Sequence, residues 1–139
     1  MQIRMTVSQR SRITGEDGET AELSSLSPGC LRDGTLTYTE TTDGAKVYYR
    51  VTADSEDTLT VSRSGAIVSE IVFRAGERYT SVYRIPPYAF DMTVETESLS
   101  VKWEGAGIEI AVVFRSTLGG SSQRTEMTIT ATPREEAPS

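Results

Sequence analysis

From Gln2 to Thr132, apolar and polar residues alternate in short runs, broken by glycine- or proline-bearing segments about every ten residues. Period-two alternation places successive side chains on opposite faces of a β-strand. The pattern predicts a strand over Gln2–Ile13, a turn at Gly15-Glu16-Asp17-Gly18 and a second strand over about Glu19–Ser25. Leu26 to Asp33 contains Pro28, Gly29 and Cys30 and reads as a loop or irregular crossover, because proline cannot donate to a ladder.

After Gly34 the alternation is clean. Leu36, Tyr38 and Glu40 share one face, and Thr35, Thr37 and Thr39 the other, up to the Asp43-Gly44 hairpin signal. Val47, Tyr49 and Val51 then alternate with Tyr48, Arg50 and Thr52, and the acidic turn Asp54-Ser55-Glu56-Asp57 leads to Leu59, Val61 and Arg63 on one face of the fifth strand. Further strands are expected at Ala66–Phe73, Tyr79–Ile85, Tyr88–Trp103, Ile108–Thr117 and Ser122–Thr132, the third of these long enough to bend or bulge near Ser98. The segment from Pro133 to Ser139 reads as a disordered tail beyond a domain of residues 1–132.

Connections this short favour antiparallel neighbours, since parallel pairs need long crossovers. The expected fold is therefore all-β, a single antiparallel up-and-down barrel of about eight to ten strands. It is preferred to a sandwich because closure removes exposed edges. Leu36, Val61, Phe90, Met92, Ile110 and Phe114 are the expected interior side chains.

Composition narrows the chemistry. The 139 residues fit one domain with one core, and a net charge of −6 with scattered cations argues against a nucleic acid partner. All but two of the cations are arginines, which alone reads as compositional bias. The longest apolar run, Ile110–Phe114, is far too short for a membrane helix, and the alternating amino terminus lacks the continuous apolar stretch of a secretory signal. With a single cysteine and no asparagine, the expectation is a cytoplasmic protein without disulfide or N-linked glycan.

The absence of histidine removes Ser-His-Asp catalysis and the common zinc sites, so neither a metal nor a cofactor is expected. Cys30 lacks a histidine to form a thiolate pair and reads as inert. Gly105-Ala106-Gly107 has Ile110 where a dinucleotide fingerprint needs its third glycine, and reads as a hairpin turn. Asp54, Glu56 and Asp57 lack the glycine and terminal glutamate of a calcium loop and read as a solvated turn.

What stands out is charge on an inward row. Glu40 follows Leu36 and Tyr38, and Arg63 follows Leu59 and Val61, so both should point into the barrel near strand ends. Inward charges require partners. A rim ion pair that fixes register is the plainer reading, ahead of a ligand or catalytic role. Tyr38 and Tyr83 are the tyrosines expected beside them at a ligand-binding mouth.

The ordered pieces Gly34-Thr35-Leu36-Thr37-Tyr38-Thr39-Glu40, Arg63-Ser64-Gly65, Tyr83, Phe90–Thr96 and Met127-Thr128-Ile129 resemble the YwiB-like family, over roughly residues 3–132. That resemblance implies a small bacterial protein of uncharacterised function with a calycin-like, lipocalin-like β-barrel, and it implies no catalytic residue. The chain departs from the family pattern at Pro86-Pro87-Tyr88-Ala89 and lacks the amino-terminal Gly-x-Trp of lipocalins, its sole tryptophan being Trp103. Three functions remain open: a non-enzymatic barrel that takes a small molecule or peptide through Glu40, Arg63, Tyr38 and Tyr83; a structural or protein-partner module with a filled core; and an enzyme with Glu40 as acid or base and Arg63 beside an anion. Oligomeric state is likewise open.

Overall fold

The computed structural model describes residues 2–134. Ten strands follow one another: β1 (Gln2–Gly15), β2 (Thr20–Arg32), β3 (Thr35–Thr42), β4 (Ala45–Ser55), β5 (Thr58–Gly65), β6 (Ser69–Phe73), β7 (Arg78–Ile85), β8 (Tyr88–Glu104), β9 (Gly107–Leu118) and β10 (Ser121–Pro133). Every paired strand is antiparallel, in the order β6-β5-β4-β3-β2-β1-β10-β9-β8-β7. This is the up-and-down barrel expected from the alternation. Its terminal strands β6 and β7 meet through one bridge, where Val68 and Arg84 exchange two main-chain hydrogen bonds of 2.8 Å.

The Asp33-Gly34 and Asp43-Gly44 hairpins each carry positive φ at both residues, near 51° and 79°, matching the right-handed twist of their flanking strands. A register shift between Thr96 and Ser98 in β8 provides the expected bulge. The Pro86-Pro87 turn closes β7 onto β8, with Ile85 opposite Tyr88 and the Pro86-Pro87 bond cis. The stretch Pro133–Ser139 expected to be disordered lies, from residue 135 onward, outside the described residues.

Two segments differ from expectation. Residues 26–32 are not a loop: β2 runs unbroken through Pro28 and Gly29, paired with β1 from Thr20 to Arg32. Proline is tolerated because β2 pairs with β3 only from Gly29 onward, leaving Pro28 on a free edge. Gly29 sits where β3 approaches most closely, since an added Cβ would lie 2.6 Å from the Thr37 carbonyl oxygen and 2.8 Å from Val7 Cγ2. The second difference is β6, which begins at Ser69 rather than Ala66. The chain there leaves β5 and turns to reach β7 through Val68.

Inward rows follow from register: Met5, Val7 and Gln9 of β1 lie opposite Gly29, Ser27 and Ser25 of β2, and Tyr38, Tyr49, Arg63 and Ser69 align across β3 to β6. One half of the interior is packed solid by Met5, Leu36, Val51, Leu59, Phe73, Val94, Ile110 and Ile129, all essentially inaccessible. Phe73 and Phe114 meet across the barrel with ring centroids 4.8 Å apart. Phe90, expected in the core, is 41% exposed, because its inward row has by then passed the packed half and reached the open rim beside the β7–β8 turn.

Candidate functional site

Beyond the Phe73–Phe114 contact the barrel is hollow. A cavity of about 1130 Å³ receives side chains from all ten strands. Its apolar wall includes Val61, Ile71, Phe73, Met92, Phe114 and Met127, while Gln9, Ser25, Glu40, Tyr49, Arg63 and Tyr83 contribute polar atoms. This volume lies just above the usual range of small-molecule sites, roughly 300–1,000 Å³.

The polar groups form a connected arrangement. Glu40 is half-buried and accepts from two hydroxyls: Ser25 Oγ donates to Oε1 at 2.5 Å, and Tyr49 OH donates to Oε2 at 3.0 Å. Tyr49 stacks flat on Tyr38, the centroids 4.8 Å apart and the planes within 1°, because the two are direct cross-strand partners on β3 and β4. Tyr38 OH in turn donates to Gln9 Oε1 at 2.5 Å. Arg63, opposite Tyr49 on β5, donates from Nε to Ser69 Oγ at 2.9 Å and holds its guanidinium carbon 5.3 Å from the Tyr83 ring centre.

Glu40 and Arg63 therefore both face the interior, but they form no ion pair. The rim salt bridge expected from their opposite signs is replaced by hydroxyl partners for the carboxylate and by an aromatic face with a serine for the guanidinium. The reason is geometric: Glu40 lies opposite Val47 and Arg63 opposite Tyr49, so Tyr49 stands between them. Among the described residues Arg63 keeps no carboxylate partner.

Burial pushes the Tyr38 phenol far above its ordinary range, reinforced by Tyr49 and by the Glu40 charge and opposed by Arg63. Burial likewise raises Tyr49, again with Glu40 adding and Arg63 opposing. Both remain protonated donors at neutral pH, which suits them to bind rather than to act as bases. Among the described residues no cluster of acids and cysteine is arranged to hold a metal ion.

Sequence reasoning named Glu40, Arg63, Tyr38 and Tyr83, and all four come together around this end of the barrel, Tyr38 beneath the cavity wall and the other three lining it. It did not single out Ser25, Gln9 or Ser69. Gln9 and Ser69 could have been found from their inward rows, whereas Ser25 was hidden by ending the second strand there.

A family model described as "Domain of unknown function (DUF1934)" matches residues 6–129. The chain belongs to this family. The crystal structure of ywiB protein from Bacillus subtilis is similar over 96% of this chain and 94% of that one, with a TM-score of 0.78 at 22% identity, which shows the shared barrel fold. No curated protein matches the chain. DUF1934 membership agrees with the resemblance read from the ordered strand motifs, and among the described residues no helix is long and apolar enough to cross a membrane.

Proposed function

We propose that this DUF1934 barrel is a non-enzymatic binding protein for a small amphipathic molecule carrying an anionic or strongly accepting end group. The observation that carries the reading is the hollow half of the barrel: an apolar wall of Phe73, Met92, Phe114 and Met127, with a guanidinium at its rim that has no carboxylate partner among the described residues. An apolar body would lie against that wall, and its acidic or carbonyl end would meet Arg63, whose second face is already held by Tyr83. Guanidinium is weakly hydrated and forks toward two oxygens, so it suits this task better than an ammonium. Glu40 supports the site by fixing Tyr49 and Ser25 rather than by proton transfer, since both its oxygens already accept hydroxyls.

The single cysteine fits a reducing cytoplasm, and the net negative charge makes nucleic acid an unsuitable partner. The test is fluorescence titration with 1-anilinonaphthalene-8-sulfonate, an aromatic amphiphile with an anionic end. Saturable one-to-one binding by the folded protein, lost in Arg63→Met and in the cavity-filling Phe114→Trp, is the expected result. Equal binding by wild type and both variants, or none by wild type, rejects the reading. Thermal melts of each variant separate loss of the site from loss of the fold.

A further inference from the structure

The barrel wall has an opening between β2 and β3. These strands are paired only through Gly29–Arg32 and Thr35–Tyr38, although β2 extends back to Thr20 and β3 onward to Thr42. Above Gly29 and Tyr38 they diverge. Over residues 20–28 of β2, one edge is taken by β1 and the other has no main-chain partner; over residues 39–42 of β3, one edge is taken by β4 and the other is likewise free among the described residues. Among the described residues two side-chain bonds cross the gap: Ser25–Glu40 between the two strands, and Tyr38–Gln9, which reaches from β3 past β2 to β1.

Two further features mark the same place. Leu23, on the inward row, is 60% exposed, and Leu26, on the outward row, is 74% exposed. Residues 23–28 and 39–41 line the interior cavity, so the gap opens into it sideways, and residues 22–26 also border an outer groove beside Arg10 and Arg12. Facing edges of unpaired amides and carbonyls are a strong association site, because each group regains a hydrogen bond when a strand is added.

We propose that this slit is a peptide-binding site, in which an extended segment with small or β-branched side chains inserts as an additional strand between β2 and β3. The occupant must have both edges free, to bond β2 on one side and β3 on the other. A second copy of this chain cannot supply such a strand from β2, whose inner edge is already bonded to β1. A separate peptide can. Its alternate side chains enter the cavity mouth beside Leu23 and cover Leu26 on the outside. The nine residues 20–28 offer an edge of roughly 30 Å. Insertion has to break the Ser25–Glu40 bond, so that bond acts as a latch. The proposal does not rest on a small molecule in the cavity.

The experiment uses the full chain, isotopically labelled, titrated with a soluble peptide of alternating valine and threonine capped by lysines, followed by amide NMR and hydrogen exchange. Amides of residues 20–28 and 39–42 should shift and gain protection. The same peptide N-methylated at alternate amides should bind at least about tenfold more weakly, since its ladder donors are gone. Ser25→Ala, which removes the latch, should bind the unmethylated peptide more tightly than wild type. Absence of binding, equal binding of both peptides, or shifts confined to the cavity floor around Phe114 would overturn the proposal. So would a dimer in which the amides of residues 20–28 are already protected, which would put a second copy on this edge.

Discussion

Gly29→Ala tests how the wall is held together just below the slit. The added methyl would lie 2.6 Å from the Thr37 carbonyl oxygen, 2.8 Å from Val7 Cγ2 and 3.2 Å from Tyr38 Cβ. The valine methyl can rotate aside, but the Thr37 oxygen is main chain and moves only with β3. The four-residue β2–β3 pairing must therefore widen at its first pair, Gly29–Tyr38, which also carries the Tyr38–Tyr49 stack. Overpacking of this kind costs about 1–3 kcal/mol. For a chain of this length that corresponds to a melting temperature lower by about 3–10 °C. Urea unfolding followed by far-UV circular dichroism measures the first, and a thermal melt the second. The change should also weaken the Tyr38–Gln9 bond and expose Tyr38, read as a shift in near-UV circular dichroism. A Gly29→Ala protein within about 0.5 kcal/mol of wild type, with an unchanged near-UV spectrum, would refute the claim that close approach is what requires glycine here.

Leu26→Ala should change stability by less than about 0.5 kcal/mol in the same urea assay, because the side chain is three-quarters exposed in the free protein; a larger loss would mean that Leu26 is buried in solution. Tyr49→Phe deletes one of the two donors to Glu40 and should cost about 1 kcal/mol with an unchanged urea m-value. Both stacked phenols are raised above the ordinary 10.0, so above that pH the unfolded chain releases protons that the folded chain keeps. Stability should be level with respect to these groups below pH 10.0 and fall as pH rises beyond it, less steeply in Tyr38→Phe. Urea midpoints against pH, with tyrosinate absorbance as the ionisation signal, check this; native ionisation of all six tyrosines at their ordinary pH would contradict it.

The barrel was legible because its strands are half-buried and antiparallel, the case in which alternation is strongest. Glu40 and Arg63 were recognisable as inward charges for the same reason, since register alone sets their face. Their relation was not legible. Whether two inward charges meet depends on which strand stands between them, and Tyr49 intervenes only through the β3–β4–β5 register. Pro28 and Gly29 misled because they normally end strands, whereas here one tolerates a free edge and the other permits close approach. The same local rule hid Ser25 and the slit beside it. Phe90 shows the limit of alternation: it fixes the face of a side chain but not how far along the barrel axis the packed half extends.

A ligand held in the hollow half of the barrel, with its polar end at Arg63, should survive gentle purification. Native and denaturing mass spectra of the protein purified from its own host measure this. The wild-type chain should carry one additional small mass, released on denaturation, and a Phe114→Trp chain should carry none. A wild-type mass equal to the bare chain under both conditions would contradict it.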